Sequence, residues 1–244
     1  MQHALERSHT QQAIKARLAR GPRNNYLRDW IYGGIDGAVT TFAIVAGVAG
    51  AELSATVVLV LGFANLFADG LAMAASNYSG TKAERDDYDR ILGIEHKHIA
   101  LVPDGEREEV RQIFAAKGFA GDDLERIVAV ITSDLALWAK TMAVEEYGLS
   151  PTLRSPILAA LSTFAAFIIC GVVPLATYLS AGGLASCVVA AGATFFGVGA
   201  IKSRWSPATW WRSGVETLLI GMSAAAVAFA VGFGIKTLLQ LPAA

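Results

Sequence analysis

The chain has 244 residues, of which 54% are hydrophobic and 17% charged, with a formal net charge of -1 and a mean hydropathy of +0.45. That balance lies outside the soluble globular norm, and no nucleic-acid partner is expected of it. Charge is also segregated: residues 79–154 hold 15 of the 21 acidic and 10 of the 20 basic residues. The pattern predicts an all-α integral membrane protein with one polar module inserted between its spans.

Residues 1–28 form a basic segment carrying Arg7, Lys15, Arg17, Arg20 and Arg23, either laid on anionic lipid or left as a free tail. It lacks the apolar core of a signal peptide. Five apolar stretches follow, near 30–50, 55–79, 156–179, 184–202 and 213–238, each long enough to cross a bilayer as a helix. The short alternating segments of a β-barrel are absent. The expected division is 29–79 for spans one and two, 80–154 for the insert, and 155–244 for spans three to five.

Span one carries Asp36 and the glycines Gly33, Gly34, Gly37, Gly47 and Gly50. Gly33 and Gly37 have the small-xxx-small spacing that permits close helix approach, to a second copy of span one or to span two. In span two, Asn65, Asp69, Met73 and Asn77 recur every four residues as one polar stripe that does not suit lipid. Asp36 and Met73 each lie six residues inside the insert-side end of their spans, so both are expected about 9 Å deep at about 1.5 Å per residue. A carboxylate and a thioether at equal depth on adjacent helices suit the transit of a borderline metal ion.

The insert reads as three helices: a continuation of span two from Ser79 to Leu101, a helix over 105–117 ending near Gly118, and one begun by an Asp122/Glu125 capping box and running to Tyr147, with Gly148 and Pro151 as stops. Glu95 with His98, Glu106 with Glu109, and Met142 with Glu145 and Glu146 share helix faces at three- or four-residue spacing. Like charges so placed repel unless a cation lies between them. Such a ligand set suits Fe(II), Mn(II), Co(II) or Zn(II) as a bound or transported ion, and no permanent cofactor is expected. Cys170 and Cys187 lie in spans as packing residues. Glu216 is expected to snorkel or to pair with Arg212.

Nineteen of the twenty Lys and Arg residues fall on the side of the insert, leaving Lys236 to snorkel from the end of span five. The N-terminus and insert are therefore expected in the cytoplasm and the C-terminus outside. Trp30, Trp205, Trp210 and Trp211 fall at the matching span ends.

The runs DWIYGGIDGAVTTFAIVAGVAGA and GFANLFADGLAMAASNY, with an acidic insert closing in MAVEEYGLSP, resemble the vacuolar iron transporter family from Asp29 onward. The resemblance implies a homodimer, joined through span one, that moves Fe(II), often also Mn(II), out of the cytoplasm in exchange for protons while the insert gathers metal. Asp36 and Met73 match the family's transit residues, and Glu95, Glu106, Glu109, Met142 and Glu146 match its insert ligands. His98 and Ala143 stand where the family has Glu, and Asn65 where it often has a membrane Glu tied to proton movement, a role Asp69 would have to assume. A bacterial plasma membrane is expected over an organellar one. The competing readings are a membrane-bound di-iron carboxylate enzyme, on the single Glu-x-x-His of Glu95 and His98, and a membrane-anchored metal-binding or sensing protein.

Overall fold

The computed structural model describes residues 9–21, 24–150 and 153–239, without the side chains of 181 and 182. Arg7, Arg23 and Pro151 lie outside the described residues. Nine α-helices run in the order α1 (Gln11–Ala19), α2 (Leu27–Gly50), α3 (Ala55–Leu101), α4 (Pro103–Ala116), α5 (Gly121–Thr132), α6 (Leu135–Glu145), α7 (Pro156–Thr177), α8 (Gly183–Lys202) and α9 (Trp210–Leu239), with no strand among the described residues. A π-helical turn, Tyr178–Gly182, leads α7 into α8. Among the described residues, five helices are long and apolar enough to cross a membrane: α2, α3, α7, α8 and α9. The chain is an all-helical integral membrane protein.

It divides into two compact units, one of residues up to Asn25 with Thr81–Arg154, the other of Tyr26–Gly80 with the chain from Ser155 onward. In the second unit α2 packs against α7, α9 and α8. Its apolar core joins Ala38, Phe42 and Val45 of α2 to Val58 of α3, Leu175 of α7, Phe195 of α8 and Ala225 of α9. Large apolar side chains such as Phe67, Leu71, Leu219 and Phe233 point outward, as lipid-facing surfaces require.

The glycine pair of span one is used within the chain. A Cβ on Gly33 would collide with the Thr163 carbonyl, and one on Gly37 with that of Phe167, so α2 meets α7 backbone to backbone. Further along, Gly50 meets Phe229 of α9 in the same way. For Gly33 and Gly37 the expected partner, a second copy or span two, is replaced by span three: small spacing marks a face that permits approach and does not choose what approaches. Of the two expectations for Glu216, the pairing with Arg212 is replaced by one with Lys202 at 3.6 Å, while Arg212 stacks on Trp211. Lys236 pairs with Glu52.

In the first unit, α1 starts at Thr10, whose hydroxyl accepts from the Ala13 amide, and buries none of its residues. The insert proper holds the end of α3 with α4, α5 and α6 around Ile99, Val110, Val128, Ile131, Trp138 and Met142. Its expected third helix is two helices, bent by 113° at their junction. Asp134 causes the break: its carboxylate accepts from the Leu137 amide and starts α6, while the Ser133 hydroxyl closes α5 on the Val130 carbonyl. The capping box is absent too, because α5 begins after Ala120 with no side-chain cap and Glu125 is held by Arg111. Gly118 and Gly148 end their helices with φ of 97° and 67°, conformations that favour glycine.

Candidate functional site

Two groups of side chains stand out, one in each unit. In the spans, a pocket of about 300 Å3 is lined by Tyr32 of α2, by Asp69, Ala72, Met73, Ser76 and Asn77 of α3, and by Thr163 of α7. The four-residue stripe of span two thus supplies its carboxylate, thioether and amide on successive turns. Asp36 is half-buried outside the lining, close enough to Asp69 for the two charges to interact. No cationic side chain among the described residues pairs with either carboxylate. Asn65, one turn further from the insert, is half-buried, and its side-chain NH2 finds no partner.

Next to the pocket, Asn77 donates to Asp29 Oδ1 at 2.9 Å, to Thr163 Oγ1 at 2.6 Å and to the Ala159 carbonyl at 3.2 Å. Sequence reasoning singled out Asn77 but missed Asp29, Thr163 and Tyr32. Asp29 lies seven residues before Asp36, which puts both on one side of α2, so a signal for it was present. Thr163, next to Ser162 in an otherwise apolar run, has no helical repeat to mark it and carries none.

In the insert, Glu95 is 1% exposed and neither of its oxygens has a hydrogen-bond partner of normal geometry, although the Glu106 carboxyl and the Tyr147 hydroxyl lie close by. Glu106 is also buried; one oxygen lies 3.3 Å from His98 Nδ1 and the other is unpartnered. Burial, then the charges of Glu109 and Glu95, push the Glu106 carboxyl up to about 7, with His98 pulling the other way. Burial and the same two carboxylates raise Glu146. Burial, then Glu95, push the Tyr147 phenol up to about 12.

Five of the seven residues expected to ligate metal are therefore brought together: Glu95, His98, Glu106, Glu109 and Glu146. Two are placed otherwise. Glu145 pairs with Lys117 at 2.5 Å, and Met142 is fully buried in the apolar core of the insert. Among the described residues, no three His, Cys, Asp or Glu side chains are grouped so that they could hold a metal ion. What the cluster does show is two buried carboxyl groups with orphaned oxygens, an arrangement that is costly when both are ionised and that a proton or a cation relieves.

A five-span helical membrane protein, with acidic and thioether groups in a pocket between spans and a carboxylate-rich insert, belongs to the class that handles cations at a membrane. Residues 27–233 match the model of the VIT family, and the chain belongs to that family. It is similar to the vacuolar iron transporter of Toxoplasma gondii, with 33% identity over 89% of this chain and 76% of that protein. It is likewise similar to vacuolar iron transporter 2 of Oryza sativa subsp. japonica, at 30% over 87% and 88% of the two chains, and to vacuolar iron transporter 1 of Arabidopsis thaliana, at 31% over 83% of each. These relatives are transporters and not enzymes, which sets the di-iron enzyme aside. Their names point to vacuoles and lend no support to a bacterial plasma membrane.

Proposed function

We propose that this chain carries Fe(II), and also Mn(II), out of the cytoplasm by proton antiport, passing the ion through the pocket that holds Asp69 and Met73 beside Asp36. The observation that carries this reading is the pair of half-buried carboxylates in the spans, next to a thioether and without a cationic partner. Ionisable groups persist at such depth where they have a use, and oxygen with sulfur suits a borderline divalent ion. The names of the relatives support iron as cargo. The placement of nineteen of the twenty Lys and Arg residues on the insert side supports a cytoplasmic insert.

Proton exchange falls to Asp69, because Asn65 cannot titrate. The protein works as a homodimer: the side of α2 bearing exposed Tyr32 and half-buried Asp36 is unsuited to lipid and calls for a second copy, whereas its glycines already face α7 and α9. The insert gathers metal on Glu95, Glu106, Glu109 and Glu146 with His98, and binding draws these groups together.

Proteoliposomes loaded with metal- and pH-sensitive dyes test the reading. Asp36→Ala and Met73→Ala are expected to reduce flux to background in folded protein, and Asp69→Asn to separate metal movement from pH change. Wild-type flux in the first two variants would overturn the transit site. An unchanged pH signal in the third would remove Asp69 from proton exchange.

A further inference from the structure

Asn77 ties span two to both of its neighbours where the pocket meets them. Its side-chain amide has two hydrogens and three acceptors within reach, Asp29 Oδ1 on α2 and Thr163 Oγ1 and the Ala159 carbonyl on α7, so the acceptors share it. Asp29 and Thr163 are 2% and 1% exposed. The Thr163 hydroxyl in turn donates to the Asp29 carbonyl at 3.4 Å. At the same level Gly33 brings α2 onto the backbone of Thr163, so two of the three helices are already in contact and the amide fixes the third against them.

Asn77 lies one turn from Met73 and two turns from Asp69, and both Asn77 and Thr163 line the same pocket. A helix turns as a rigid body over so short a distance, so whatever fixes Asn77 also fixes where the sulfur and the carboxylate point. Hydrogen bonds out of water impose direction more firmly than packing between smooth apolar surfaces. The knot also has a polarity: Asn77 gives hydrogens and Asp29 receives them.

We propose that Asn77 is a positioning residue for transport, whose amide, held by Asp29 and Thr163, sets the height and rotation of span two and so determines how tightly, and with what metal preference, the Asp69 and Met73 groups receive the cargo. This rests on the pocket being the transit site. Asn77→Asp turns the attraction toward Asp29 into repulsion, and adding Asp29→Asn restores one donor and one acceptor in reversed order. That double variant recovers only in part, since the Ala159 carbonyl then faces an oxygen.

The test is flux against metal concentration for Fe(II), Mn(II) and Zn(II) in proteoliposomes of the full-length protein, normalised to folded protein. Asn77→Ala is expected to raise the half-saturating concentration roughly fivefold, the effect of one lost hydrogen bond, and to flatten the preference among the metals, with a smaller change in maximal rate. Thr163→Val, which keeps shape and removes the hydroxyl, should shift the same quantities in the same direction, and Asp29→Asn with Asn77→Asp should recover part of what Asn77→Asp loses. A role confined to stability would lower the yield of folded protein and leave both quantities at wild-type values, in Thr163→Val as in Asn77→Ala, and that result overturns the proposal. Wild-type flux in Met73→Ala overturns the transit site and this proposal with it, whereas silent Met73→Ala beside unaltered Asn77→Ala and Thr163→Val overturns the positioning role alone.

Discussion

In the insert most carboxylates have a cation beside them: Asp86 has Lys82, Asp87 has Arg90, Asp104 has Arg107, Glu108 and Glu125 share Arg111, and Glu145 has Lys117. Among the spans the same treatment is given to Glu52 and Glu216, through Lys236 and Lys202. Without Lys or Arg among the described residues the insert leaves exposed Asp89 and Asp122, Asp134 as the cap of α6, and the group Glu95, Glu106, Glu109 and Glu146, while the spans leave Asp36 and Asp69. The lack of a cationic partner combined with a second carboxylate within reach of its charge, and not the lack alone, marks the groups that the proposed function assigns to an exchangeable cation. The two regions differ in how they hold these groups. The spans fix theirs by backbone contact and buried hydrogen bonds, whereas the insert leaves a repelling cluster that a proton or an ion can relieve.

The largest expected effect tests the rigid half of that contrast. Gly37→Ala drives a methyl group into the Phe167 backbone, which cannot move as a side-chain tip could, at a cost upwards of about 2 kcal/mol. Folded yield and thermal stability in detergent should fall sharply. Near-normal stability would mean that α2 and α7 are not fixed by contact, and the contrast would lose its first term.

The second effect concerns the cluster. Glu106 holds its proton up to about pH 7 when folded, against an ordinary value of 4.5, so folding takes up a proton between those values. The stability this provides is present below about pH 4.5 and is lost as pH rises toward 7. Without metal, hydrogen exchange in α4 and α6, corrected for intrinsic rates, should therefore be slower at pH 5.5 than at pH 7.5. Mn(II) should slow it more at pH 7.5 than at 5.5, because at the lower pH a proton competes for the site. Glu106→Gln should reduce the pH dependence, leaving the part that Glu146 contributes, and with Glu109→Gln should raise the half-saturating metal concentration for flux several-fold at nearly unchanged maximal rate. Identical exchange at both pH values would place the cluster with the solvated carboxylates.

The spans were legible because about twenty apolar residues in a row have few alternatives, and the four-residue stripe led to Asp69 and Met73 because periodicity survives folding. The break between α5 and α6 was missed although Thr132, Ser133 and Asp134 interrupt the apolar pattern there, because three polar residues also fit the exposed face of one continuous helix and Asp134 acts as a cap only once its carboxylate finds the Leu137 amide. Nor did spacing reveal the withdrawal of Glu145 to Lys117, 28 residues away, or the bond from Thr163 to Asp29 across 134. Partners so distant are set by packing, and a lone hydroxyl or carboxylate carries no period to betray them.

The smallest effect probes glycine in the other region. Gly93 lies within α3 among the residues of the insert, exposed, with nothing near where a Cβ would stand and no unusual φ. Alanine there gives up no contact and gains helix propensity, about 0.5–1 kcal/mol. Amides flanking position 93 should exchange roughly two- to fivefold more slowly in Gly93→Ala than in wild type, with flux unchanged. The opposite sign from Gly37→Ala follows from one difference: a backbone carbonyl in the path of the new methyl group in one case, open space in the other. A Gly93→Ala variant that folds and stiffens but loses flux would break the comparison at its second term, because the helix carrying Glu95 would then need to bend at Gly93 for the cluster to close on its ion.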